Sequence, residues 1–202
     1  MHSFKLLVVA MLTFSGLASA APVPYEFDAS HTRIAYAIDH MGLSVMQGRF
    51  ARFEGSLLLD VNDLPASKVS VSIDVSSIDS GVPKLDEHLQ APDFFDVAQF
   101  PRIQFESTKV EGSGNQFKVT GDLTLHGVTK PVTLDVSMRT VDSHPMRKVP
   151  AAGFVARTEI KRADFGIAIY PGMLGDTVQI RIDTEAAARG QKTEDRGQRT
   201  ED

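Results

Sequence analysis

The residues able to do chemistry are few and scattered. Beyond residue 20 the histidines are His31, His40, His88, His126 and His144, and the chain has no cysteine. A zinc site wants three or four converging ligands, commonly announced by short spacings such as HExxH, and no such spacing occurs. Glu87-His88 lacks a second histidine at that spacing. Without cysteine there are no thiolate ligands, disulfides, CxxCH haem attachments or thiol nucleophiles. There is no GxSxG elbow, and Gly112-Ser113-Gly114 falls in a turn-forming stretch. A Ser/His/Asp set could still assemble in space, because triads are defined by geometry rather than order. His31 and His126 stand at strand ends beside Thr32 and Gly127, where hydrogen-bonding a turn is the commoner task. His40 continues the apolar face of Ile34, Tyr36 and Ile38, which makes it the best candidate for a polar contact inside a cavity. These residues suggest a binding protein rather than an enzyme, with no catalytic residue, metal or resident cofactor assigned.

Charge narrows the partners. The chain carries 21 Lys and Arg against 26 Asp and Glu and has no basic run. Phosphate neutralisation requires clustered positive charge, so nucleic acid is not an expected partner. At the amino terminus Lys5, the apolar run Leu6–Leu17 and the small residues Ala18-Ser19-Ala20 form the three parts of a secretory signal peptide, residues 1–20. As a helix the apolar run would extend roughly 18 Å, short of the ~30 Å hydrocarbon core, which favours a cleaved signal over an anchor. No later segment is apolar for long enough to cross a bilayer, so no stable membrane insertion is expected. With no cysteine to acylate, the expected product is a periplasmic or secreted protein.

The elements that must position these residues are strands. Apolar and polar residues alternate with period two in Val69–Val75, Ile34–Ile38, Ile103–Phe105, Val132–Met138 and Val178–Ile182. Further strands are expected at Arg49–Leu59, Gln116–Leu125 and Phe154–Lys161, about eight in all. One short helix is expected at Pro83–Gln90, with Pro83 in its first turn and Leu85 and Leu89 stacked at i, i+4. Turns fall at Asn62–Pro65, Gly112–Asn115 and Pro171-Gly172. Such strands build either a sandwich or a barrel, and periodicity alone does not choose. Residues 21–185 form one domain. The stretch 186–202 has no aliphatic residue larger than alanine and is expected to be a disordered polar tail.

Four blocks together resemble the YceI family of periplasmic, lipocalin-like proteins. The first runs from Tyr25-x-Phe27-Asp28 through His31-Thr32, His40-x-Gly42 and Gly48-Arg49-Phe50 to Phe53-x-Gly55. The second is Asp86-Glu87-His88-Leu89 with Asp93-Phe94-Phe95-Asp96 and Phe100-Pro101. The third is Gly121-x-Leu123-Thr124-Leu125-His126-Gly127, continuing to Val132. The fourth is Arg162-x-Asp164-Phe165-Gly166-Ile167 with Gly175-Asp176-x-Val178. The resemblance implies an all-β fold: an eight-stranded antiparallel lipocalin-like barrel with a short helix near one mouth. It further implies a tunnel for a polyisoprenoid or quinone-like lipid, held without covalent attachment. The family often has arginine before Asp86 and after Leu89, where this chain has Leu85 and Gln90. That departure favours a neutral head group over a pyrophosphate.

A barrel of this size can fill with side chains or enclose one ligand, and the apolar stripes alone leave both open. The resemblance favours a tunnel, with Ile34, Tyr36, Ile38, His40, Val71, Ile73, Phe105, Leu123 and Leu125 as candidate ligand contacts. Phe94 and Phe95 join them, one expected to plug the barrel end and the other to touch ligand. The expected role is transport, storage or sequestration of the lipid. The alternatives are a periplasmic lipid-modifying enzyme using His40 or His126 with a carboxylate, and a dry-barrel module that binds another envelope protein. The oligomeric state stays open, a homodimer included. Intact-mass measurement of protein recovered from the periplasm should show loss of Met1–Ala20; retention of that segment in a membrane fraction would overturn the signal-peptide assignment.

Overall fold

The computed structural model describes residues 21–190. The signal-peptide assignment at 1–20 and positions 191–202 of the expected tail lie outside them. Eleven ladder segments form one antiparallel sheet that closes on itself. They are β1 (Val23–Phe27), β2 (Arg33–His40), β3 (Ser44–Phe50), β4 (Phe53–Leu59), β5 (Lys68–Asp74), β6 (Ile78–Asp79), β7 (Arg102–Ser113), β8 (Gln116–Leu125), β9 (Val128–Val141), β10 (Ala151–Lys161) and β11 (Leu174–Ala188). The helix expected at Pro83–Gln90 forms with those bounds as α1.

The barrel has eight strands because its first three are bent rather than ended. β1 and β2 both pair with β11, β3 and β4 pair with β2 and β1, and β5 and β6 pair with β4 and β3. The run expected as one strand at Arg49–Leu59 is therefore β3 and β4, interrupted at Ala51-Arg52. The expected strand Val69–Val75 likewise stops at Asp74, and Val75 opens a 3-10 turn while remaining 1% exposed.

Polar groups hold the bends, the first against β11 and the second against the third. At the first bend the Asp28 side chain accepts from the Ser30 amide at 2.9 Å, and the Asp28 amide donates to the Glu185 carbonyl of β11 at 2.8 Å. At the second, the Arg52 amide donates to the Ser77 hydroxyl at 3.0 Å, and the Arg52 guanidinium meets Asp74 Oδ2 through Nε at 3.0 Å and Nη2 at 2.9 Å. The Ser76 hydroxyl and the Arg52 guanidinium hold the Asp74 carboxyl below its ordinary range. Beyond the bends, β2, β3 and β6 swing away from the ring and leave β6 unpaired with β7. α1 and the turns at 91–101 occupy that gap, with the Val75 amide donating to the Pro101 carbonyl at 3.0 Å.

The expected tail boundary at Glu185 is corrected by three residues. Ala186, Ala187 and Ala188 continue β11, pairing with Phe27, Glu26 and Tyr25 of β1, and they complete the barrel seam. Ala186 and Ala187 are buried. Small side chains do not by themselves predict disorder, because here the backbone is bonded to neighbours on both sides.

One buried charge anchors the loop between β10 and β11. Arg162 is 6% exposed and donates through Nε to the Gly175 carbonyl at 2.8 Å, through Nη1 to Ile167 at 2.8 Å and through Nη2 to Leu174 at 3.1 Å. A buried guanidinium needs such partners, since an unpaired buried charge is strongly destabilising. Arg162→Ala should lower stability by about 3 kcal/mol, or roughly 6–12 °C in Tm for a chain of this size. Arg162→Lys should recover only part of that, because one ammonium cannot reproduce a planar fork. Thermal denaturation followed by circular dichroism measures both, and a wild-type-like Arg162→Ala would mean that the loop is held by other contacts.

Candidate ligand-binding cavity

Strand alternation turns one face of every strand inward, yet those faces do not fill the barrel. A cavity of about 510 Å³ remains, within the ~300–1,000 Å³ range of small-molecule sites. Every residue expected at the site lines it: Ile34, Tyr36, Ile38 and His40 from β2, Val71 and Ile73 from β5, Phe105 from β7, Leu123 and Leu125 from β8, and Phe94 and Phe95. Phe94 and Phe95 both reach the wall because they sit in turns rather than in a strand, where adjacent side chains would oppose each other. Phe94 packs edge-on against His88 with centroids 5.0 Å apart, and Phe95 against Phe50 at 5.9 Å. Leu85, His88 and Leu89 of α1 also contribute, as their helical spacing requires.

The empty space has a sequence origin. Gly48 faces Tyr36 across the β2–β3 ladder, and a Cβ there would stand 2.3 Å from the tyrosine oxygen. Gly121 opens the same kind of space on β8, where a Cβ would lie 2.5 Å from the Phe105 ring. Each glycine lets an aromatic ring lie against the wall instead of projecting across the lumen. Around the cavity sit two packed clusters, one containing Tyr25, Leu57, Leu64, Phe117 and Met138, the other containing Val75, Phe94, Ile103, Leu125 and Phe165.

Several polar groups on the wall are committed to the protein. Thr32 and Thr184 bond each other through their hydroxyls at 2.6 Å, Ser67 accepts from the Asp60 amide at 2.9 Å, and Arg162 is taken up by carbonyls. The Tyr36 hydroxyl, His40 and His88 carry polar atoms toward the α1 end. Burial pushes the Tyr36 phenol up to about 12, and the negative charges of Asp86 and Asp79 add to the shift. Tyr36 therefore offers a neutral O–H donor inside an apolar wall.

The other titratable candidates have structural partners. His126 bonds the Phe165 carbonyl through Nδ1 at 3.2 Å and packs against the Phe100 ring at 4.6 Å. Its Nε2 is buried without a partner and is not on the cavity wall. Asp28, Ser30 and His31 do come together at the first bend. Ser30 Oγ and Asp28 Oδ2 both approach the same ring nitrogen, Nδ1, at 3.2 and 3.1 Å, whereas a triad places the serine on Nε2 and the acid on Nδ1. That cluster shapes a turn.

Sequence reasoning missed part of the wall. Met41, Met46, Phe50, Tyr170 and Met173 line the cavity, but Gly48 and the bend at Ala51-Arg52 break the β3 alternation, and Tyr170 and Met173 sit in a loop. The inward residues Ile180 and Ile182 of β11 were legible as an alternating face.

These features define a class: an antiparallel lipocalin-like barrel that encloses an apolar cavity reaching the surface beside a short helix. The chain belongs to the YceI family, whose YceI-like domain matches residues 25–186. Protein YceI of Salmonella arizonae is 35% identical over 178 residues, covering 88% of this chain and 93% of that protein. Among solved structures, the Campylobacter jejuni YceI protein superposes with a TM-score of 0.64 at 27% identity, covering 76% of this chain and 91% of that one. Burkholderia cenocepacia BcnA shares the fold with a TM-score of 0.73 at 23% identity, covering 80% of this chain and 100% of that one. A polyisoprenoid-binding domain from Saccharophagus degradans shares it at 0.58 and 16% identity, covering 83% and 99% of the two chains.

The raised Tyr36 value carries a pH dependence. Folding favours the neutral phenol, so this contribution is complete below the unfolded tyrosine value of ~10 and is lost as pH rises through about 12. Alkaline titration followed at 295 nm and by circular dichroism should show tyrosinate formation coupled to loss of structure in that window. Tyr36→Phe should flatten the fall in stability between about pH 10 and 12, and an unchanged profile would place the ring in water.

Proposed function

We propose that this protein binds a polyisoprenoid or quinone-type lipid, its tail in the barrel and its neutral head toward the α1 end, and that it carries, stores or sequesters that lipid in the periplasm. The observation that carries this reading is the open apolar cavity of about 510 Å³. A barrel meant only as an interaction module has no reason to leave such a volume unfilled, since each missing contact weakens packing. The polyisoprenoid binding of the Saccharophagus degradans fold neighbour makes an isoprenoid the first ligand class to test. The neutral head is supported by Leu85 and Gln90, which stand where the family often has arginine, and by the commitment of Arg162 to three carbonyls. Lys68, the other cation lining the cavity, stands at the end of β5 away from α1. Binding rather than turnover is favoured because His126 bonds a carbonyl instead of a carboxylate.

An isoprenoid tail has no hydrogen-bonding groups, so hydrocarbon burial supplies its affinity. At ~0.8 kcal/mol per CH₂, each five-carbon unit contributes at most roughly 4 kcal/mol. Eight units would exceed the ceiling of about 18–21 kcal/mol for non-covalent complexes, so ordering costs must cancel much of the gain. Affinity for a series of polyprenols should rise with length and then flatten once the tail outgrows the cavity. Mass spectrometry of lipid extracted from native periplasmic protein should identify an isoprenoid, and turnover of that lipid by purified protein would favour the enzyme instead. Ile38→Glu, on the wall, should abolish lipid retention, whereas Gln104→Glu, exposed on the outer face of β7, should retain it. A folded Ile38→Glu variant carrying wild-type amounts of lipid would overturn the cavity assignment.

A further inference from the structure

The cavity meets the surface at two loop tips that form one uncharged apolar rim. The β2–β3 tip exposes Leu43 (83%), Val45 (57%) and Met41 (46%), and the β10–β11 loop exposes Met173 (50%) and Tyr170 (42%). The Met41 amide donates to the Met173 carbonyl at 2.8 Å, so the two tips make a single surface. Met41, Tyr170 and Met173 also line the cavity, which makes the outer patch continuous with the interior. Residues 40–48 and 166–175 contain no Lys, Arg, Asp or Glu; Asp39 and Asp176 border the two tips, and Arg49, which follows the first stretch, is paired with Asp79 at 2.9 Å.

We propose that this rim docks on a lipid bilayer with an uncharged or zwitterionic surface, holding the cavity mouth at the bilayer so that ligand passes between the two without crossing water. The proposal rests on the lipid-binding reading above. A hydrocarbon tail has its reservoir in a bilayer, and leaving it through water would expose every apolar carbon. Peripheral insertion uses exposed aliphatic side chains together with an aromatic ring that sits at the headgroup level, and Leu43, Met173 and Tyr170 supply both. Anchoring to anionic lipid needs basic residues, and the rim has acidic flanks instead. Charge thus points to a neutral surface and to contact that salt does not weaken. A second copy of the chain would bury the same residues and is separated by the test.

Flotation of wild-type protein with ligand-free phosphatidylcholine vesicles reads docking directly. The expected result is co-flotation unaffected by raising salt and weakened by adding phosphatidylglycerol. The double variant Leu43→Asp, Val45→Asp should lower the floated fraction at least about tenfold. Both positions are exposed and off the cavity wall, so polyprenol loading from detergent should stay at wild-type level. Wild type that fails to float, floats only with phosphatidylglycerol, or floats equally well as the double variant would overturn the proposal. So would a wild-type dimer that the double variant converts to monomer, because the rim would then be an interface between copies. Wild type that floats but takes up no polyprenol would overturn the lipid-binding reading and leave the docking surface standing.

Discussion

A closed antiparallel sheet has no free edges, but closure ties diameter to strand number, and eight straight strands leave an interior that side chains can fill. This barrel escapes that limit by bending three neighbouring strands along one line. The first bend is held by Asp28 against β11, and the second by Arg52, which grips Asp74 and Ser77 of the third. The second bend is bonded to the third, so β3 and β6 leave the ring together, and β2 follows through its ladder with β3. The gap this opens between β6 and β7 is what α1, Phe94 and Phe95 occupy, and the cavity lies beneath them. The polar groups at the bends therefore determine the volume of an apolar space to which they contribute no lining atom, apart from Thr32 beside the first bend.

Keeping that space open is a separate problem. Apolar walls gain dispersion and lose water contact by collapsing onto one another, so an unfilled cavity must be prevented from closing. The ladders hold the walls apart, and the glycines opposite Tyr36 and beneath Phe105 draw two large rings flat against the wall. At the mouth, Met41, Met46 and Met173 supply unbranched, polarizable side chains that can repack around whatever enters. Arg162 holds the loop carrying Tyr170 and Met173, and its charge is spread over three carbonyls rather than aimed at ligand.

Period-two alternation made the strands and the inward-facing residues they carry legible, because a strand with one wet face leaves its register in the residue types. The bends were not legible. Ala51-Arg52 carries no glycine or proline, and what interrupts the ladder there is a tertiary contact with Asp74 and Ser77. A bulge between Ser107 and Lys109 similarly shifts the inward parity of β7, so Phe105 and Val110 face the same interior. Alternation counted straight along the strand would turn Val110 outward. Ala186–Ala188 failed for another reason: composition measures what a side chain can bury, whereas these residues are ordered by backbone bonds to two neighbouring strands. Arg162 was visible in the fourth motif block, but a motif names a residue without saying that it is buried or what it bonds.

The division of polar and apolar groups bears on selectivity. Hydrocarbon burial is non-directional, so the wall can measure the length and girth of a tail but scarcely its chemistry. Under the lipid-binding reading, discrimination among head groups must come from polar atoms the protein has not already satisfied, chiefly the Tyr36 hydroxyl with His40 nearby on the wall. Tyr36 stays protonated far above neutral pH, so it is able to donate a hydrogen bond to an acceptor oxygen but not to neutralise an anion. A single neutral donor discriminates far less than a bidentate arginine pair would. Under the lipid-binding reading, this barrel selects for a long apolar tail bearing a small uncharged oxygen function and tolerates variety beyond it. Such permissiveness suits a protein that holds a class of lipids rather than one that acts on a particular member.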